Sequence, residues 1–444
     1  MNLIQIVILL SLFAFVVVGL IVKRSGMASY SDFTMDRGRL GWFTIAAGVS
    51  MTFAGGAAIL TTASVGYTFK WYSLVDPISL LIGIVIVLFF YNKYEKDKGT
   101  TITDLLSSNY KGLTVLLGCI TFLTFTLIVA ANFVALSKLL SPYFPEINPL
   151  VLTFIFSTLV FSYVFWGGFK SVTRTDILQL LLIICLLIVP ILFFVIKNID
   201  QLGIESTTHE FITMPIDYII LFSIPILFTP LSQDINLRIK SAKNQKQGKY
   251  GLLMGGFFYF SIAISAAFVG VYLGNNNFNL HDPEQAIPLF FKTHYPNVGF
   301  LAIIASLAAI VSTLDSYILN ATISFSNDII KPLFNLGKNV NKTIMFSSLI
   351  TYVIAMVIAL FFNKILVLSL TSLLIYISVL APIALGNRFG LPEKQIFAGT
   401  IISIFAIVAA EFFSLTIDAK AFVYPMFGCF IMMLFNLIKN IRCK

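Results

Sequence analysis

Apolar runs long enough to cross a lipid bilayer follow one another along this chain with little between them. A helix needs about 20 predominantly apolar residues to span the hydrocarbon. By that measure the sequence holds thirteen runs, at roughly 3–22, 40–68, 72–92, 113–140, 148–168, 175–197, 216–234, 251–273, 298–327, 343–362, 365–386, 396–414 and 421–438. The period-two alternation of a membrane β-barrel is absent, so the spans are read as helices. Composition agrees: 11% of residues are charged and 58% hydrophobic, whereas soluble domains carry about 25% charged residues. Such a chain cannot cover its own surface with water-compatible groups. A soluble enzyme, a nucleic-acid binder and a disordered scaffold are excluded, and no nucleic-acid partner is expected despite the formal net charge of +9. The lipid bilayer is the expected surroundings.

Basic residues gather on the cytoplasmic side of membrane proteins. With the N-terminus placed outside, six of the 29 Lys and Arg residues fall on the outer side (Lys70, Lys138, Lys197, Lys292, Lys364 and Lys420) and the other 23 on the inner side. The bias alternates at every loop, and one span more or fewer would break it. The reading is a multi-pass protein of the cell membrane with its N-terminus outside and its C-terminus in the cytoplasm. Run 3–22 has no basic n-region and no small-residue cleavage site, so it is read as a retained helix, not a signal peptide. The basic stretch 238–249, in the expected loop 235–250, is assigned to orientation and contact with anionic head groups. No arginine is placed within any span.

His209, His281 and His294 all fall in expected outer loops, far apart in sequence, which argues against a metal site built from them. Without a His, Cys or paired-carboxylate cluster at membrane depth, an intramembrane enzyme has nothing to work with. Cys119, Cys185 and Cys429 lie in apolar runs and are read as small core hydrophobes; Cys443 is near the C-terminus, and no disulfide is expected.

Two spans carry helix-breaking residues at mid-membrane depth. The second contains Ser50-Met51-Thr52-Phe53-Ala54-Gly55-Gly56, then Thr61-Thr62, so that adjacent glycines are followed by hydroxyls. The seventh contains Pro225 and Pro230, each of which deletes a helical hydrogen bond and frees a carbonyl. The two spans are five apart, the spacing of transporters built from two inverted five-helix repeats, where ions and substrate bind at the breaks. The ninth span carries Ala309, Ser312, Thr313 and Ser316 on one helical face, with Asp315 beside them. Hydroxyls and freed carbonyls are hard ligands suited to an alkali cation. An ionisable group at this depth invites a functional role; Asp315 is read either as one, in cation or proton handling, or as a structural hydrogen-bonding group.

At these residues the chain resembles the sodium/solute symporter family, whose members carry sugars, proline, pantothenate and sialic acid. Four blocks match in order. They are the broken second span followed by Gly66-Tyr67, the stretch Gly167-Gly168 through Thr175-Asp176 to Gln179, then Pro230-Leu231-Ser232-Gln233 with Arg238, and Ser312-Thr313-Leu314-Asp315-Ser316 with Asn327-Asp328. One departure is Phe69-Lys70-Trp71, where the family often has a glycine. The resemblance implies an all-α membrane protein of thirteen helices with a leucine-transporter-type fold. Its inverted repeats would be 40–197 and 216–386, each with a broken first helix, preceded by an extra helix at 3–22 and followed by two at 396–438. It also implies a Na+ site made of the carbonyls of Met51, Ala54 and Ala309 and the hydroxyls of Ser312 and Thr313. A second cation, or a proton, would involve Asp176 and Ser316, with Asp315 near. The substrate would be faced by Gly55, Gly56, Thr61, Thr62, Asp76, Asn132, Phe228 and Thr229. Asp76 suits a polyol or an ammonium group, or serves only as an acid at a helix N-terminus, since Pro77 follows it.

The function expected is sodium-driven import of a small polar solute by alternating access, carried out by a monomer. A proton-coupled transporter of the same fold, using Asp315 or Asp176, is the alternative. A transporter-like sensor is another; with the chain ending at Lys444, soon after the last span, it would need a separate partner.

Overall fold

The computed structural model describes residues 3–23, 38–97, 99–107, 111–164, 169–198, 215–334, 340–412, 428 and 431–440. Gly167, Gly168, His209, Cys429, Cys443 and half of the expected span 421–438 lie outside the described residues. Among the described residues the regular structure is helical, with one isolated bridge between Leu40 and Ala242. Eight helical runs are long and apolar enough to cross a membrane, from Gly56–Lys96 to Ile365–Arg388.

In chain order the main helices are α1 (Leu3–Lys23), α2 (Trp42–Phe53), α3 (Gly56–Phe69), α4 (Val75–Lys96), α5 (Thr114–Leu140), α6 (Pro149–Val164) and α7 (Phe169–Ile183). There follow α8 (Val189–Lys197), α9 (Ile216–Phe222), α10 (Pro225–Leu231), α11 (Gln233–Ser241), α12 (Gln245–Asn275) and α13 (Ala286–His294). The last four are α14 (Phe300–Ile323), α15 (Val340–Phe361), α16 (Ile365–Arg388) and α17 (Glu393–Phe412). A π-helical turn, Ile184–Ile188, joins α7 to α8, and another, Ser324–Ile330, extends α14.

The span expected to break at Gly55 does so. Helix α2 stops at Phe53, Ala54 and Gly55 leave helical geometry, and α3 starts at Gly56. The seventh span is interrupted twice. Ser223 and Ile224 form a turn before α10, and Ser232 is extended (ψ 130°) between α10 and α11. Pro225 therefore opens a helix, where its missing N–H costs nothing, while the full break comes just after Pro230.

The run containing α14 is the most enclosed. Its apolar window is 89% buried, against 33% for Val172–Lys197, which places the ninth span at the centre and the sixth at the periphery. Around it, α12 lies along both halves of the broken span. This needs bare backbone: a Cβ on Gly255 would come within 3.0 Å of the Ala46 carbonyl, and one on Gly270 within 2.0 Å of the Ala63 carbonyl. At one end of the bundle Glu284 ties three elements together. It pairs with Lys138 of α5 and accepts from the Ile365 and Leu366 amides at 3.3 and 3.0 Å, capping the start of α16.

Three expectations fail. The expected loop 235–250 is helical on both sides of Ala242–Asn244, and Arg238 is fully buried within α11, so it neither orients the loop nor meets head groups. Charge counting treats a basic residue between apolar runs as solvated, but carboxylates neutralise this one inside the fold. Cys119 and Cys185 are exposed on the outside of the bundle, not in the core. An apolar helix here faces lipid as readily as protein, so hydrophobicity alone does not place a residue inside.

The close approach of α12 to α3 yields a test. Gly270→Val should destabilise the detergent-solubilised protein by about 1–3 kcal/mol through overpacking, read as a lowered melting temperature. Gly41→Ala should change little, because its Cβ would meet only the Gln247 side chain at 3.9 Å.

Candidate functional site

The end of α2 leaves backbone carbonyls without helical partners. Ser50 keeps one, since the Ala54 amide donates to its carbonyl at 2.7 Å. The Met51 carbonyl instead accepts from the hydroxyl of Thr313, on α14, at 3.0 Å. Thr313 is pressed into the break itself: a Cβ on Gly55 would lie 2.4 Å from its Oγ1, and one on Gly56 would lie 1.8 Å from Ile310 Cγ1. Both glycines are needed so that α14 can touch the interrupted backbone. On the other side of the break Asn132 caps α3, its Oδ1 accepting from the Ala57 amide at 3.3 Å while its Nδ2 donates to the Ile128 carbonyl at 2.9 Å.

Beside Thr313 lies a buried ionic cluster. Ser312 donates to Asp176 Oδ1 at 2.5 Å, which joins α14 to α7. Arg238 Nη2 donates to Asp176 Oδ2 at 3.3 Å and to Thr52 Oγ1 at 3.0 Å, and its Nε donates to Asp234 at 2.8 Å. Thr52 in turn donates to Ser316 at 3.1 Å. The guanidinium occupies space left by Gly48, where a Cβ would fall 1.6 Å from Nη1. The structure thus brings Asp176, Ser312 and Ser316 together through Thr52 and Arg238. Asp315 is buried on the same helix but does not line the cavity described next.

A cavity with about 850 Å³ of empty space, part of it open to solvent, runs from Thr52, Gly55 and Thr313 at the break to Ser73 and to Leu366 at the start of α16. Of the expected substrate-facing residues, Gly55, Thr61, Thr62, Asp76, Asn132 and Phe228 line it. Gly56 and Thr229 do not. Gly56 is turned to Ile310, and Thr229 is packed against Gly83. Asp76 sits in the first turn of α4 and also faces the cavity, with one carboxylate oxygen accepting from the Tyr259 hydroxyl at 2.9 Å. Tyr259, Tyr317, Ser369 and Ser372 are lining residues that sequence reading missed, because nothing in an apolar run marks which face meets the cavity. Arg238, expected in a basic loop and in the third matching block, was not expected in this cluster; its signal was the i,i+4 pairing with Asp234.

Tyrosines answer the carbonyls freed at the second break. Tyr94 donates to the Pro230 carbonyl, and Tyr376 to the Leu231 carbonyl at 2.8 Å. Tyr376 also packs on Phe228, a lining residue of the cavity, with ring centroids 5.2 Å apart.

This helical bundle, with interrupted membrane helices meeting a hydroxyl-bearing one, shares its fold with solved transporters of the leucine-transporter type. A solved structure of a Na+-coupled sialic acid symporter, in a substrate-bound outward-open state, superposes with a TM-score of 0.75 at 18% identity, covering 99% of this chain and 97% of that one. By sequence, residues 33–385 match the sodium:solute symporter family, and the chain belongs to that family. Among curated relatives it is 25% identical over 335 residues to a sodium/sialic acid symporter of Aliivibrio fischeri, and 27% identical over 331 residues to one of Proteus mirabilis. These matches cover 68% and 67% of this chain, and the chain spans 65% of the length of each relative.

Removing the guanidinium would leave two buried carboxylates uncompensated. Arg238→Met should cost about 3–5 kcal/mol, seen as a lower melting temperature and yield in detergent. Adding Asp176→Asn should recover part of that loss; additive losses would show that the pair is not coupled.

Proposed function

We propose that this chain is a sodium-coupled symporter that imports a small polar organic solute by alternating access. The observation carrying this reading is the Thr313 hydroxyl resting on the freed Met51 carbonyl at the break of a membrane helix. Two oxygens 3.0 Å apart can touch one cation at once. Sodium would take the carbonyls of Met51, Ala54 and Ala309 and the hydroxyls of Ser312 and Thr313, five neutral oxygens that replace hydration yet release the ion. Ser312 donates its O–H in a hydrogen bond to Asp176 and keeps its lone pairs for the ion. Only Thr313 must turn its proton elsewhere.

Bound there, sodium would clamp α14 against the broken span and so couple to substrate affinity in the adjoining cavity. The inverted repeats 40–197 and 216–386 belong to this reading, supported by an interrupted first helix in each. So do an N-terminus outside, a cytoplasmic C-terminus and a monomeric working unit. A second coupling ion is suggested by the make-up of the cluster, in which two carboxylates, Asp176 and Asp234, share the single guanidinium of Arg238. Asp176 and Ser316, with Asp315 close in sequence, would serve a second Na+ or a proton.

The test is uptake by the full chain reconstituted in vesicles, with a panel of labelled amino acids, sugars, amines and vitamins. Uptake should require an inward sodium gradient. Sodium-dependent thermal stabilisation should be lost in Ser312→Ala and Thr313→Ala. If both variants kept the full sodium response, the assigned site would be wrong. Uptake that persists without sodium and collapses with the pH gradient would instead select proton coupling.

A further inference from the structure

The relatives reported above are named for sialic acid, an acidic sugar, and the lining of this cavity does not suit an acid. Among the described residues that line it, Asp76 is the only one carrying a full charge, and no Lys, Arg or His is present. Lys70, close in sequence, packs against Gly274 instead. A carboxylate placed here would face a carboxylate.

The hydrogen-bonding groups narrow the choice further. Thr61 donates to its own helix at the Ala57 carbonyl (2.8 Å), Ser73 to the Lys70 carbonyl (3.0 Å) and Ser372 to the Ser369 carbonyl (2.7 Å). Asn132 is committed at both ends to backbone, and its Oδ1 occupies the Ala57 amide at the N-terminus of α3, a natural seat for an anion. Thr61, Ser73, Ser372 and Asn132 are thus committed locally; the Thr62, Ser369 and Tyr317 hydroxyls also line the cavity and can meet a polar group, but they carry no charge. The Asp76 carboxylate is the strong acceptor that remains, held at one oxygen by Tyr259.

The wall of the same cavity is aromatic: Phe53, Phe222, Phe228, Tyr259 and Tyr317 all line it, and Tyr259 is the ring that touches Asp76. Phe53 and Tyr259 meet edge to face, with centroids 6.3 Å apart. Aromatic faces attract a desolvated cation, and a carboxylate in a partly apolar pocket is compensated by one. Resting on the transporter reading above, we propose that the solute is an organic cation, a primary amine or quaternary ammonium on an apolar body. Its nitrogen would sit on Asp76 among these rings, and free acids, zwitterions and neutral sugars would be disfavoured.

The experiment uses the full chain in lipid nanodiscs and reads ligand-induced thermal stabilisation, with and without sodium, so that ligand class and ion coupling are scored separately. The probes are phenethylamine, L-phenylalanine and 3-phenylpropionate, which share one ring and differ in charge, together with choline, D-glucose and N-acetylneuraminate. Phenethylamine or choline should act at concentrations at least about tenfold below the others, the worth of one charge-assisted contact. Asp76→Asn should erase that preference and Asp76→Glu, which keeps the charge, should restore it. Tighter binding of the acid, zwitterion or sugar would overturn the proposal. It would also fall if neither cation bound, if the preference survived in Asp76→Asn, or if Asp76→Glu failed to restore it. Absence of any sodium response in the unaltered protein would count against sodium coupling, while the cation preference would still be read from the sodium-free series.

Discussion

The contact between Thr313 and the backbone at Met51 is the constraint on which the rest of the site depends. A broken helix inside a bilayer is tolerated only where protein takes over the hydrogen bonds that the break releases. Here α14 does so with a hydroxyl at 3.0 Å, and it can come that close because Gly55 and Gly56 present no side chain. The same approach puts Ser312 on Asp176 and Thr52 on Ser316, so one docking event assembles both polar clusters. Asn132 then fixes the other lip of the break by capping α3.

Buried charge gives the cluster its second property. Arg238 and Asp176 are both fully buried, with Asp234 nearly so, and each would be costly alone. Together they hold α7, α11 and α2 in register around Gly48, the gap through which the guanidinium passes. The interrupted seventh span ends in α11, so the ionic cluster connects the two broken spans directly. Movement of either break would be felt at the other through this pairing, which is the kind of shared element that coupling between an ion and a solute requires.

Much of this was legible before any coordinates. Gly55-Gly56 marked a candidate break because glycine is weakly committed to a helix and hydroxyls follow it, although another pair, Gly255-Gly256, lies inside the unbroken α12; Ser312-Thr313 marked a polar face because hydroxyls are conspicuous in an apolar span. The seventh span was harder. Proline says where a hydrogen bond is missing but not where the chain departs from the helix, and the departure falls at Ser232. Gly56 and Thr229 were chosen for proximity to a break, yet a helix turns about 100° per residue, so neighbours of a lining residue commonly face elsewhere. Arg238 was assigned to a solvated loop because its partner Asp176 lies 62 positions away in sequence.

Local chemistry therefore marked which segments are apolar enough to span a membrane and which backbone was weak enough to open. It also marked the hydroxyls available to answer that opening. These follow from composition and spacing within single helices. Tertiary structure alone decided which faces meet: that Arg238 is sheltered by two carboxylates, that Tyr259 reaches Asp76, and that five aromatic rings from separate helices close on one cavity. In a chain so uniformly apolar, lipid-facing and protein-facing surfaces have the same hydrophobicity. The assignment of faces rests on shape and on distant pairing, and neither is written in the order of residues along one helix.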